Sequence, residues 1–150
     1  MSEKIQFDDP VVHAAECFTK EGYTYGSLIP KDWFMRSFRL PEPQTIQEAN
    51  DVSMLYARHL GALRTKLLVE RKMALRTKDG VGQEVVQPEE QTEWAVQDFV
   101  TDVCRLTMRI KDRLQHVNFA ALSDEQRREN ADAIAKLSFF QNRGLKALTR

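Results

Sequence analysis

A mainly α fold carrying one β-hairpin is predicted by three features of the 150-residue sequence. Apolar residues recur at spacings of three and four over most of the chain, as they do along one face of a helix. Only 6 Gly and 5 Pro interrupt it, too few for a many-turned β architecture. One stretch breaks the rule: MALRTKDGVGQEVVQ, from Met73 to Gln87, holds two short β-prone runs around Asp79-Gly80, a dipeptide that accepts the positive φ angles of tight hairpin turns.

Taken in order, Asp9-Pro10 opens a first helix, with a capping side chain followed by Pro at the first helical position, and Gly22 closes it. Val11, Ala14, Ala15 and Phe18 form its apolar face. The run from Tyr23 to Ser27 reads as a turn with a short extended piece. Pro30 and Asp32 open a short second helix that turns Trp33, Phe34 and Phe38 inward and is expected to end at Pro41 and Pro43. Thr45 and Glu48 make a capping box, each side chain satisfying the other's backbone donor, for a third helix reaching about Glu70. Val52, Tyr56, Leu60, Leu63 and Leu67 lie along one stripe of it.

The hairpin follows. A four-residue loop, Asp79 to Gly82, sets Leu75 opposite Val86 and is expected over a two-residue loop, which sets Leu75 opposite Glu84. Pro88-Glu89-Glu90 then starts a fourth helix with acid in its first turn, where the macrodipole favours it. Val96, Phe99, Val103, Leu106, Ile110, Leu114 and Val117 form a near-heptad seam along it, and Asp102, Arg105, Arg109 and Asp112 form an ion-pair ladder on another face. Ser123 and Gln126 make a second capping box. A last helix through Ile134, Leu137, Phe140 and Leu145 completes a helical hairpin.

Composition narrows the function classes. The 22 basic and 22 acidic residues cancel, whereas a dedicated nucleic-acid binder usually carries a basic excess. Cys17 and Cys104 are isolated, which suits buried thiols in a reducing compartment rather than a disulfide framework. The opening MSEKIQFDDP has no apolar core of a secretory signal, and no apolar run approaches a membrane span, so a soluble cytoplasmic protein is expected. His13 and Cys17 share a helix face at i, i+4, but His59 and His116 supply no further ligands, so neither a metal nor a cofactor is expected. No phosphate loop or nucleophile elbow is present in the sequence, and no catalytic residue is assigned.

Thr77, Gly80, Val81 and Gly82, preceded by a helix containing Leu67-Leu68 and followed by a strand, resemble the wing of winged-helix domains, in particular the T-x-x-G-x-G segment of bacterial response-regulator output domains. The resemblance implies a winged-helix-like module over residues 1–88, whose third helix would enter the DNA major groove while wing cations touch the backbone. It leaves 89–150 as a C-terminal helical hairpin and candidate dimerisation arm. The departures are acidic: Asp79 stands where the family commonly has a base, and Gln83-Glu84 stand in place of an aromatic-basic pair. The Tyr-Gly-Ser-Leu-Ile-Pro entry and the PEEQTEWA helix start are also similar to small accessory proteins of phages and prophages, which act on DNA or on a host protein machine.

Two functions follow as expectations: a non-enzymatic regulatory or accessory protein of a bacteriophage or other mobile element that binds duplex DNA, or a protein-binding inhibitor or adaptor acting on a host nucleoprotein or defence complex. For DNA the candidate contacts are Arg58, Arg64, Lys66, Arg71, Lys72, Arg76 and Lys78, a set that the solvated face of an amphipathic helix would equally supply. Arg143, Lys146 and Arg150 carry the same ambiguity. For a protein partner the candidates are Tyr23 and Tyr25, in the turn, and Trp94 and Val100, off the seam of the fourth helix. The other members of the tyrosines' aromatic cluster, Phe18, Trp33, Phe34 and Phe38, read as core. A homodimer through the fourth helix is expected, against a compact monomer with the last helix folded back.

Overall fold

The computed structural model describes residues 9–148. It is mainly helical with one small antiparallel sheet, and it divides into two compact units at Gln91 and Thr92. Arg150 lies outside the described residues.

The first unit runs α1 (Pro10–Lys20), β1 (Leu28–Pro30), α2 (Lys31–Ser37), α3 (Ile46–Arg71), β2 (Leu75–Lys78) and β3 (Gly82–Val85). Three helices followed by a hairpin are as expected; the strand β1 between the first two helices is not. Asp9 caps α1 by accepting from the Val11 N–H at 2.9 Å. α2 stops before either proline: Arg39 takes a left-handed φ of 53°, and the Leu40 N–H returns to the Met35 carbonyl at 3.0 Å. At the start of α3, Thr45 accepts from the Glu48 N–H, but Glu48 accepts from the Gln44 N–H at 2.7 Å rather than from Thr45. Lys72, at φ 59°, ends α3 in the same manner as Arg39 ends α2, with the Met73 N–H bonding back to Leu67.

The turn after α1 contributes a third strand. β1 pairs with β3, which therefore lies in the middle of the sheet, and sets Ile29 beside Gln83. The hairpin register also departs from expectation. Leu75 pairs with Val85 and Lys78 with Gly82, so the loop is the three residues Asp79, Gly80 and Val81. Gly80 supplies φ 75° at the third position of the turn that the Val81 N–H closes onto the Lys78 carbonyl. In this register Leu75 and Val85 share the core face, and Val86 bonds to Ala74 at 2.9 Å. A one-residue slip would turn one strand's side chains to the wrong side. Arg76 and Glu84 then face each other on the opposite side and form an ion pair.

The core of this unit joins α1, α2, the Leu60, Leu63 and Leu67 stripe of α3, and the sheet. Phe18, Phe34, Phe38, Ile29, Leu63, Leu67, Leu75, Val85 and Val86 are fully buried, each stabilising by about 1.5–3 kcal/mol relative to exposure. Trp33 links the aromatic rings edge-on, 4.9 Å from Phe34 and 5.4 Å from Tyr23 between centroids.

The second unit contains α4 (Gln91–Gln115, begun by a 3-10 turn at Pro88–Glu90), α5 (Asp124–Phe139) and α6 (Leu145–Leu148). Both halves of the Ser123–Gln126 capping box are made. Asn130 donates to the Leu114 carbonyl at 3.1 Å, satisfying one of the acceptors that the end of α4 leaves open and tying α5 to α4. The heptad of α4 is phased differently from expectation. Its inward positions are Val96, Val100, Val103, Thr107, Ile110, Leu114 and Val117, with Thr107 buried, whereas Phe99 and Leu106 are each 52% exposed. Both phasings share five residues, and the polar Thr107 hid the correct one; its hydroxyl donates to the Val103 carbonyl, so burial leaves it satisfied. The ladder forms its Arg105–Asp102 pair, at 3.2 Å. A π-helical turn at Phe140–Gly144 shifts the phase between α5 and α6, so Leu145 is buried while Phe140, expected inward, is half exposed.

Candidate partner-binding site

Six of the seven cations expected to meet DNA are engaged within the protein. Arg64 donates to Thr77 Oγ1 at 2.7 Å and to Gln83 Oε1, so its guanidinium pins the hairpin to α3. Lys66 pairs with Glu70 at 2.7 Å. Arg71 donates to the Ala15 carbonyl at 3.1 Å and stacks over Phe18, joining α3 to α1. The Lys72 ammonium donates to the Val69 carbonyl, neutralising the C-terminus of its own helix. Arg76 bridges Glu84 at 2.7 Å and Glu90 at 2.9 Å, and Lys78 lies 3.5 Å from Glu84. Arg58 is exposed and has no hydrogen bond or ion pair to another described residue.

The Arg76–Glu84–Glu90 bridge has electrostatic consequences. The Arg76 hydrogen bond holds the Glu84 carboxyl below the usual carboxylate range, with Lys78 adding to the effect. Glu84 reciprocally raises Arg76. Burial pushes the Tyr56 phenol up, against a small opposing pull from Arg64.

Of the residues expected to meet a protein partner, Tyr23 and Tyr25 pack against the core of the first unit. Tyr23 packs 5.5 Å from Phe18 and 5.4 Å from Trp33, and its phenol is raised by burial and then by Glu21. Tyr25 is half-buried and donates to the Lys72 carbonyl at 3.4 Å. The turn carrying both leads into β1, and this strand draws them onto the core. Trp94 is half-buried, and Val100 belongs to the inward stripe of α4 instead of lying off it. His13 bonds the Ser37 carbonyl at 3.0 Å with Cys17 beside it, and His116 bonds the Asp112 carbonyl. Among the described residues no group of three potential ligands could hold a metal ion. Among the described residues no helix is long and apolar enough to cross a membrane. Arg143 lies over the Phe139 ring at 5.4 Å.

A surface that sequence reading passed over lies on the outer side of α3. Met54, Arg58, Gly61, Thr65 and Leu68 follow one another at spacings of four and three, all exposed, with Ala57, Ala62 and Val69 beside them. Met54 is 72% exposed and Val69 62%. A solvated helix face is normally polar, whereas this one exposes Met54 and Leu68 beside Arg58 and Thr65. Met54, Leu68 and Val69 are visible in the sequence as apolar positions off the Val52–Leu67 stripe, but cations interleave with them. On the other side of α3, where it faces the hairpin, Lys31, Tyr56, Leu60 and the hairpin from Thr77 to Gln83 line a cleft of about 410 Å³. No family model, no curated protein and no solved structure matches the chain.

Proposed function

We propose that this is a non-enzymatic, cytoplasmic protein-binding adaptor or inhibitor that uses the winged-helix layout to present α3 to a protein partner. The observation carrying the reading is the outer face of α3, where Met54, Leu68 and Val69 surround small residues and a single cation, Arg58, that has no ion pair among the described residues. Interface cores are depleted in charge and enriched in Met and Arg, whereas a helix reading bases presents polar hydrogen-bonding side chains. The internal commitments of Arg64, Lys66, Arg71 and Arg76 weigh in the same direction, because a cation already paired gains less from a phosphate. The resemblance to phage and prophage accessory proteins supplies the class of partner: a host nucleoprotein or defence complex. A photo-cross-linking residue at Thr65, tested in host cells beside a control at Glu16 on α1, gives a nuclease-resistant adduct of one defined protein at Thr65 alone. Adducts with nucleic acid at Thr65 support duplex DNA as the partner instead.

The second unit supports self-association as a separate reading. Phe99 and Leu106 lie one heptad apart on α4, both half exposed, and a two-fold copy would cover them. Light scattering gives twice 17.4 kDa for the dimer, and Leu106→Glu returns the single-chain mass.

A further inference from the structure

The cleft between α3 and the hairpin has two features that belong to a ligand site. Its floor and walls are apolar or aromatic, from Leu60, Val81 and the Tyr56 ring. Its charged lining residues are Lys31, Lys78 and Asp79, and the only partner of Lys31 among the described residues is the Tyr56 ring, 5.4 Å from the ammonium. Lys78, half exposed and only 3.5 Å from Glu84, stands on the opposite side. Gly82, at φ 148°, holds the rim close: a Cβ there would fall 2.1 Å from the Ile29 carbonyl oxygen. At about 410 Å³ the space lies within the range of sites that take a small molecule or one large side chain with its neighbour.

The geometry points to this cleft as the socket for an acidic side chain flanked by an aromatic one, presented by the protein partner proposed above, on which the inference rests. Lys31 supplies the positive charge, held over the Tyr56 ring and paired with no carboxylate among the described residues. Lys78 can exchange its long contact to Glu84 for the incoming acid, since Arg76 already holds Glu84. Leu60, Val81 and Tyr56 receive the flanking ring. Asp79, on the rim, opposes the charge and tunes affinity downward.

The test is a titration of the ¹⁵N-labelled full chain with acetyl-Phe-Glu-amide and with acetyl-Phe-Gln-amide at low ionic strength, followed at the Gly80, Val81 and Gly82 amides. The Glu peptide shifts these amides and binds about fivefold more tightly than the Gln peptide, the ratio expected of one partly exposed ion pair. Lys31→Ala lowers the affinity of the Glu peptide by a similar factor with the rest of the spectrum unchanged, and Asp79→Asn raises it. Equal binding of the two peptides, absence of shifts, or indifference to Lys31→Ala overturns the socket. A duplex that moves the same amides more strongly than the Glu peptide overturns it too, in favour of phosphate. If the peptides fail while cross-linking at Thr65 succeeds, only the socket is lost; if both fail, the partner reading goes with it.

Discussion

Arg64 and Thr77 are thirteen residues apart in sequence and 2.7 Å apart in space, guanidinium to hydroxyl. Their hydrogen bond, with the one from Arg64 to Gln83, couples the middle of α3 to both strands of the hairpin. A cation that the sequence offers to phosphate is thereby part of the scaffold.

Arg64→Ala is therefore expected to destabilise the first unit by about 1–2 kcal/mol, the lower range for hydrogen bonds to a charged group that is partly exposed. Arg64→Lys should recover little, because an ammonium cannot span Thr77 and Gln83 with the same planar fork. Urea denaturation measures both. An unchanged midpoint for Arg64→Ala would mean that the side chain is a surface cation after all.

Glu84 gives a pH dependence whose sign is fixed by the direction of its shift. Its folded carboxyl lies below the ordinary value, so the stabilisation is present above the unfolded range, about 4.3, and is lost as pH falls through the folded value. Glu84→Gln should thus lower the melting temperature at pH 7, and the difference from the parent should shrink progressively as pH falls below about 4. A gap that stays constant with pH contradicts the Arg76–Glu84 bridge as its source.

Asn130→Ala removes the donor that satisfies the Leu114 carbonyl and leaves that group short of a partner in a site where Asn130 was 8% exposed. A loss of about 1–3 kcal/mol is expected, read as earlier amide exchange in α4 and α5, with the amides of α1 to α3 unaffected. Ser123→Ala should cost about 1 kcal/mol through the cap alone.

Duplex DNA should bind weakly and without sequence preference. Arg58→Ala should reduce the salt slope of that residual binding by no more than about one unit. A gel-shift series with a steep salt slope, or specific binding at physiological salt, argues that the engaged cations release their partners to meet phosphate.

Much of the first unit was legible in the sequence because local signals and apolar period agreed. Asp9-Pro10, Thr45 and Asp79-Gly80 marked boundaries, and the Val52–Leu67 stripe marked what α3 buries. What escaped was decided by long-range pairing. β1 is three residues with a proline and has no alternation to detect, and its pairing with β3 is long-range. The phase of α4 turned on Thr107, a polar residue that helix geometry lets bond its own backbone. The site suffered most, since formal charge can be counted from sequence but pairing cannot: Arg64, Arg71 and Arg76 found partners 13, 56 and 8 residues away.

The outer face of α3 is expected to meet a protein. Capture from nuclease-treated host lysate by the immobilised chain, compared with Met54→Glu/Leu68→Glu, tests it most directly, because both positions are exposed and their replacement leaves the core intact. The predicted result is one defined set of host proteins held at constant stoichiometry by the parent and reduced at least about tenfold by the double variant, equivalent to about 1.4 kcal/mol, with unchanged melting temperature. The same proteins retained equally by parent and variant, or capture that vanishes with nuclease for both, would contradict it.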